Sequence, residues 1–316
     1  MLKYIRKRLL ITLPVLLGVT VINFIIMLLA PGNAIDLMTN PHVNAATLAL
    51  KAQALGLNEP AYLRYFHWIV NMFHGDLGTS MSTFQPVSEM LAERIGPTLL
   101  LMGLALLVGL LIAIPLGILS AAKQGSKLDF VTVTGSFVGI SIPNFFLGLG
   151  LISIFSLNLG WLPTSGMETL GAGGDLADRI NHLILPVIVL SANVAGRNIR
   201  YVRSSMLEIL GKDYLRTERA KGMKEWKIIC THGLRNALIP IITVLGFEIP
   251  MLFSGAVVTE KIFSWPGLGQ LTMNSILSRD YPTIMALNLF MAIVVIGSNL
   301  LTDILYAVID PRIKFK

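Results

Sequence analysis

The chain has 316 residues, of which 54% are apolar and only 14% charged, with a formal net charge of +7 and a mean hydropathy of +0.70. A soluble globular domain carries about a quarter charged residues, so that class is excluded and an integral membrane protein is indicated. The single cysteine, Cys230, excludes a disulfide framework, and no Cys/His cluster has metal-ligand spacing.

Crossing roughly 30 Å of hydrocarbon takes about 20 apolar helical residues. Six stretches meet that requirement: residues 9–30, 98–121, 130–158, 183–203, 239–258 and 284–309. The first follows the basic "MLKYIRKR". Its apolar part is too long for a signal h-region and no small-x-small cleavage site follows, so it reads as an uncleaved signal anchor.

Residues 31–97 form the longest polar part and contain two helical patterns, "NAATLALKAQALGL" and "EPAYLRYFHWIVNMF". In the second, Leu63, Phe66, Ile69, Val70 and Phe73 recur at spacings near three and four, which gives the helix one apolar face. Gly75, Asp76 and Gly78 then favour tight turns, and Pro86 is placed to begin a short helix leading to Arg94. The segment reads as an external helical cap. His67 and His74, seven apart, raise the idea of a metal site, but with no carboxylate or third histidine at suitable spacing they read as surface or core histidines.

In the third run, Pro143 of "GISIPNFFLG" is expected to kink or break a single span, because proline removes a helical donor and clashes with the preceding turn. The loop "GWLPTSGMETLGAGGDLADRIN" is Gly-rich and polar enough to be irregular. The loop "KIFSWPGLGQLTMNSILSRDYPT" mixes Phe263, Trp265 and Leu268 with Pro266, Gly267 and Gly269. It reads either as a re-entrant stretch lining a cavity or as an aromatic anchor at the membrane interface.

Positive residues resist translocation and so set orientation. With the amino terminus inside, 19 of the 25 Lys and Arg fall in cytoplasmic segments, ten of them between Arg197 and Arg235, while ten of the 18 acids fall outside. The fold class expected is therefore an all-α membrane protein, one membrane domain over residues 1–316. It has six transmembrane helices, cytoplasmic N and C termini, an external helical cap at 31–97 and a cytoplasmic elbow between spans four and five. These basic residues flank spans and lack interleaved aromatics, which argues against nucleic acid as a partner. The lipid bilayer is the expected surround.

Within the cytoplasmic loop 204–238, Leu207, Leu210 and Tyr214 share a helical face, so a soluble helix is expected to emerge from span four. Gly222 sits where a helix ends in a left-handed residue, after a last turn rich in Arg and Lys that suits the dipole. Beyond it, Trp226, Ile229, Cys230, Gly233 and Ala237 form one stripe of a second helix running into span five. On periodicity alone, this helix, elbow, helix has two readings: a basic loop retained for topology, or a lever.

The stretch resembles the cytoplasmic loop of ATP-binding-cassette importer permeases, whose pattern is Glu-Ala-Ala, three residues, Gly, then a helix ending in an Ile-x-x-x-His-x-Leu-x-Asn-Ala-Leu type sequence. Gly222 matches the glycine, Trp226, Ile228 and Ile229 the following helix, and "HGLRNALIP" its end. Arg216, Thr217 and Glu218 stand where the general family has Glu-Ala-Ala. "DYLRTERAKG" is nevertheless close to the "DY-x-RTARAKG" form of the dipeptide, oligopeptide and nickel permeases, Glu218 replacing an alanine. "SIPNFFLGL", "LGWLPTSG", "IFSWPGLGQL" and "DILYAVIDPRIK" extend the resemblance over nearly the whole chain.

The resemblance implies that the elbow docks on a separate ATPase subunit, with Asp213, Arg216, Thr217, Glu218, Ala220, Gly222 and Trp226 as the coupling residues. It also implies a homologous second permease, two ATP-binding-cassette ATPase subunits and an extracytoplasmic solute-binding protein as partners, in a bacterial or archaeal cytoplasmic membrane. The imported solute would be an oligopeptide or dipeptide, with nickel chelates or another small solute as the alternative. The chain has no Gly-x-x-x-x-Gly-Lys-Ser/Thr phosphate loop, so ATP and magnesium are expected in the partner subunits and no cofactor, catalytic residue or metal in this one.

Glu248 lies mid-span in "VLGFEIPMLFSG", where a charge costs about 3 kcal/mol unless it faces protein or water, and it is a candidate for the substrate pathway together with Trp265. A carboxyl satisfied by another helix is the competing reading. An intramembrane protease would need a histidine base within a span, and only His182, at an edge, comes near one. An ion-coupled carrier would need several intramembrane ionisable groups; Glu248 and Asp303 alone qualify.

Overall fold

The computed structural model describes residues 2–29, 59–169, 171, 174–234, 248–253 and 256–309. The expected helix at 44–57, most of the expected fifth span and the carboxyl-terminal "DPRIK" lie outside the described residues.

The described chain is helical: α1 (Leu2–Leu29), α2 (Ala61–Phe73), α3 (Val87–Ala122), α4 (Lys127–Ser141), α5 (Asn144–Leu151), α6 (Leu176–Leu210), α7 (Asp213–Ala220), α8 (Glu225–Lys227), α9 (Leu268–Leu277) and α10 (Tyr281–Ile309). Wider π-helical turns follow α5 at Ile152–Asn158 and α8 at Ile228–Gly233. Residues 248–253 and 256–262 are helical as well.

Helices α1, α3, α6 and α10 are long and apolar enough to cross a membrane, which matches four of the expected spans. Pro143 acts more strongly than a kink: α4 and the helical run 144–158 meet at 96° across a short break, with Ile142 extended. Pro143 has no N–H with which to continue the first helix, and its fixed φ suits the start of the next. The expected single span 130–158 is thus a broken span or a re-entrant pair. Among the described residues the candidate spans number four, or five with that pair counted as one.

Two compact units are distinguishable, one of residues 98–265 with 297 onward, the other of 2–97 with 266–296. In the second, the expected amphipathic helix is α2, and its apolar residues Phe66 and Phe73 remain exposed. The short helix expected from Pro86 is instead the first part of α3, which runs unbroken through Pro97. Asp280, fully buried, ties the turns before α3 to the start of α10: its carboxylate accepts from the Ser82 and Thr283 hydroxyls at 3.0 and 2.9 Å and from the Met81 N–H at 3.0 Å. The loop expected at 261–283 contains a ten-residue helix, α9.

In the first unit, close helix approach depends on glycine. A Cβ on Gly109 of α3 would lie 2.6 Å from Val194 Cγ1 of α6, and one on Gly117 2.7 Å from Val202 Cβ and 3.0 Å from the Ile199 carbonyl oxygen. Small residues at such contacts let backbones approach, the main attraction between helices in lipid. Gly117→Leu is expected to destabilise the unit by about 1–3 kcal/mol or more, because a backbone carbonyl cannot move aside as a side chain can. Thermal unfolding in detergent checks this, with Gly103→Leu, whose Cβ meets nothing, as the silent control.

Candidate functional site

Two features of the first unit carry functional geometry: the elbow after α6, and the charge pair between Arg197 of α6 and Glu248. The soluble helix expected to emerge continuously from span four is in fact two helices, since α6 ends at Leu210 and the chain turns through Gly211 and Lys212 before α7. Leu215 of α7 is fully buried and fixes that short helix, while Asp213, Arg216 and Ala220 are exposed. Thr217 spends its hydroxyl on the Asp213 carbonyl at 3.3 Å.

The corner is built by backbone. Gly222 has φ +79°, its N–H donates to the Arg219 carbonyl at 2.9 Å, and the Met223 N–H reaches the Glu218 carbonyl at 3.3 Å. This pair of bonds, six-to-one and five-to-two, is a Schellman stop, and it requires the left-handed conformation that glycine adopts without strain. A Cβ at Gly222 would meet nothing, so the requirement is conformational and owes nothing to crowding.

A side-chain clasp spans the corner. Arg219 donates Nη2 to Glu225 Oε1 at 2.7 Å and Nε to Oε2 at 3.1 Å, joining α7 to α8. The guanidinium holds the Glu225 carboxyl below the usual glutamate range, so the clasp stays ionised at neutral pH. Neither residue was among those singled out from sequence. The available signal was opposite charges placed symmetrically about Gly222. Glu218, the departure from the permease pattern, pairs with Lys221 at 3.2 Å and lends its carbonyl to the stop, so it is part of the corner's own construction.

Beyond the corner the expected stripe is altered. The π turn Ile228–Gly233 widens the helical repeat, so Ile228 and Ile229 are buried while Trp226 is 67% exposed. Ile229 joins Ile118 and Ala121 of α3 and Val202 and Met206 of α6 in one apolar cluster. The elbow is thus seated on two long helices and presents an exposed indole beside its charges, the kind of side chain that anchors protein interfaces.

Facing α6 from the helical stretch 248–253, Glu248 is 2% exposed and fully engaged. Arg197 donates Nη2 to Oε2 at 2.8 Å and Nε to Oε1 at 3.3 Å, and Asn198 donates to Oε1 at 3.0 Å. Asn144, Leu190, Asn193, Arg197, Pro250, Met251 and Leu252 line an adjoining cavity of about 420 Å³. Trp265, the other sequence candidate, is fully buried, its backbone N–H donating to the Glu260 carbonyl at 2.8 Å, and is not among the cavity's lining residues.

The charge count had put Arg197 and Arg203 in a cytoplasmic segment; both lie on α6 with carboxylate partners. Arg203 reaches Asp129 with Nε at 2.7 Å and Nη2 at 2.9 Å, and Asp129 also accepts from the Ser120 hydroxyl and the Gly125 N–H. No group of three or more His, Cys, Asp or Glu suited to a metal occurs among the described residues.

Long apolar helices, with a polar elbow seated on two of them, define a multi-pass membrane protein. The chain belongs to the family of inner membrane components of binding-protein-dependent transport systems: that family's model matches residues 113–315, and the corresponding N-terminal model matches residues 1–102.

The oligopeptide transport system permease protein AppB of Bacillus subtilis (strain 168) is 48% identical over 314 residues, 99% of each chain. A putative peptide permease protein of Brucella suis biovar 1 (strain 1330) is 44% identical over 318 residues, again 99% of each. The glutathione transport system permease protein GsiC of Salmonella choleraesuis (strain SC-B67) is 42% identical over 316 residues, 100% of both. Among solved structures, inward facing conformations of the MetNI methionine ABC transporter share the fold at TM-score 0.59 and 18% identity, over 70% of this chain and 96% of that one.

Proposed function

We propose that this chain is one permease subunit of an ATP-driven importer that moves oligopeptides or dipeptides into the cytoplasm by alternating access. The observation that carries the reading is full-length likeness to permeases named for oligopeptides, peptides and glutathione. Six spans with both termini in the cytosol complete the topology. Partners are a homologous permease, two ATPase subunits that bind ATP and magnesium, and an extracytoplasmic solute-binding protein.

The corner from Asp213 to Trp226 is the proposed ATPase contact, with Arg216, Thr217, Glu218, Ala220 and Gly222 within it. A lever transmits displacement when it is stiff and joined to what it moves. The clasp, the Schellman stop and the buried Leu215, Ile228 and Ile229 supply that stiffness. Hydrolysis belongs to the partners, and this subunit turns the closure of two ATPases into rocking of its spans.

The test is uptake by proteoliposomes holding both permeases and the ATPases, supplied with solute-loaded binding protein. Uptake is expected to require ATP and to survive collapse of the proton gradient, with peptide recovered from the binding protein by mass spectrometry. Uptake that persists without ATP and collapses with the gradient would establish an ion-coupled carrier instead.

A further inference from the structure

The cavity beside α6 is polar where the surrounding helices are not. Three of its seven lining residues, Asn144, Asn193 and Arg197, carry side-chain donors, in a region whose other walls are Leu190, Pro250, Met251 and Leu252. Asn144 is delivered there by the break at Pro143, and Asn193 and Arg197 stand four apart on one face of α6.

Arg197 is held in a defined pose because Glu248 takes its Nε and one Nη2 proton. A guanidinium has five N–H donors in a fixed fork, and among the described residues Nη1 has no partner. The fork therefore has unused donors at the side chain that lines the cavity. Asn198 fixes the other side of the pair by bonding both Glu248 and the Val194 carbonyl, at 3.0 and 2.9 Å.

The charge balance narrows what this site accepts. Paired with Glu248, Arg197 contributes no net charge, so the site offers directed donors without the field that would trap an anion. Amide and guanidinium donors suit carbonyl oxygens, and a carrier needs binding weak enough to release. A volume of about 420 Å³ falls within the range of small-molecule sites and accommodates a few residues of extended chain.

We propose that Arg197, Asn193 and Asn144 form a translocation subsite that binds main-chain carbonyl oxygens of the passing peptide, and that Glu248 is a positioning residue that orients Arg197. The inference rests on the peptide reading above. Recognition through the main chain makes the subsite indifferent to peptide sequence, as a pathway serving many peptides requires.

The experiment offers the complete importer in proteoliposomes an equimolar mixture of di- to pentapeptides and reads the lumenal contents by mass spectrometry. Asn193→Leu leaves the Arg197–Glu248 pair intact, and Arg197→Lys keeps its charge while losing the fork. Both variants are expected to import every peptide about tenfold more slowly, whatever its side chains, the loss of a hydrogen bond or two in a dry site. The amount of complete importer, read as ATPase subunits co-purified with the variant permease, should match the unsubstituted level, which a misfolded bundle would not allow.

Unchanged uptake in Asn193→Leu, or a loss confined to peptides of one side-chain type, would overturn the subsite. If Arg197→Lys fails to assemble, Asn193→Leu alone decides. If the unsubstituted importer takes in no peptide yet hydrolyses ATP with another solute on its binding protein, the peptide reading itself fails and the subsite with it.

Discussion

Gly222→Pro is expected to insert and assemble normally yet to lose more than about tenfold of ATP-driven uptake, because proline locks φ near −65° where the corner needs +79°. The substitution also deletes the N–H that reaches the Arg219 carbonyl, so the Schellman stop loses one of its two bonds. Without that stop α8 leaves α7 in a different direction, and the Arg219–Glu225 clasp cannot close.

Gly222→Ala separates conformation from crowding. Its methyl group would touch nothing, so the cost is only the left-handed penalty of about 1–2 kcal/mol and most uptake should survive. Uptake and ATPase rate, measured together in proteoliposomes, distinguish uncoupling from simple loss of protein. Full uptake in the proline variant would remove the elbow from the mechanism.

Arg203→Ala should damage the protein itself. Asp129 is buried and takes two bonds from that guanidinium, which fastens the turn between α3 and α4 to the part of α6 just above the elbow. Removing one partner of a buried pair leaves an uncompensated charge and costs about 3–5 kcal/mol, whereas replacing both by apolar residues is far milder. Single-variant protein should accumulate poorly and unfold at lower temperature in detergent, and Asp129→Leu with Arg203→Met should recover most of the loss. Equal damage in single and double variants would mean that packing of the stems, and not the charge, is what matters.

How far a feature is legible in the sequence depends on the range of the interaction behind it. Helix α2, the four long spans and the left-handed glycine at 222 follow from local periodicity and local backbone preference, and each was readable in the sequence. The break at Gly211 and Lys212 was not, because the apolar spacing of Leu207, Leu210 and Tyr214 continues across it as though one helix ran through.

The π turn after α8 was hidden for a related reason. A stripe read at 3.6 residues per turn puts Trp226 and Ile229 on one face, while the wider turn buries Ile228 with Ile229 and leaves Trp226 outside. The carboxylate partners of Arg197 and Arg203 are not legible from charge counting, which treats every cation as a topology signal. Their carboxylates, Glu248 and Asp129, lie more than 50 residues away in sequence and are brought near only by packing. Glu248, a pathway candidate in the sequence, is satisfied by Arg197 and Asn198, and Arg197, unremarkable in the sequence, is among the residues that line the cavity.

The central claim is that the corner from Asp213 to Trp226 meets an ATPase subunit, and contact at Trp226 tests it most directly. The side chain is exposed and stands at the corner, so p-benzoylphenylalanine in its place exchanges one exposed aromatic for another. Irradiation of the assembled importer should cross-link the permease to an ATPase subunit, with a yield that changes on adding ATP. A functional importer whose probe at this position labels only lipid, or reacts with the extracytoplasmic binding protein, would contradict the account.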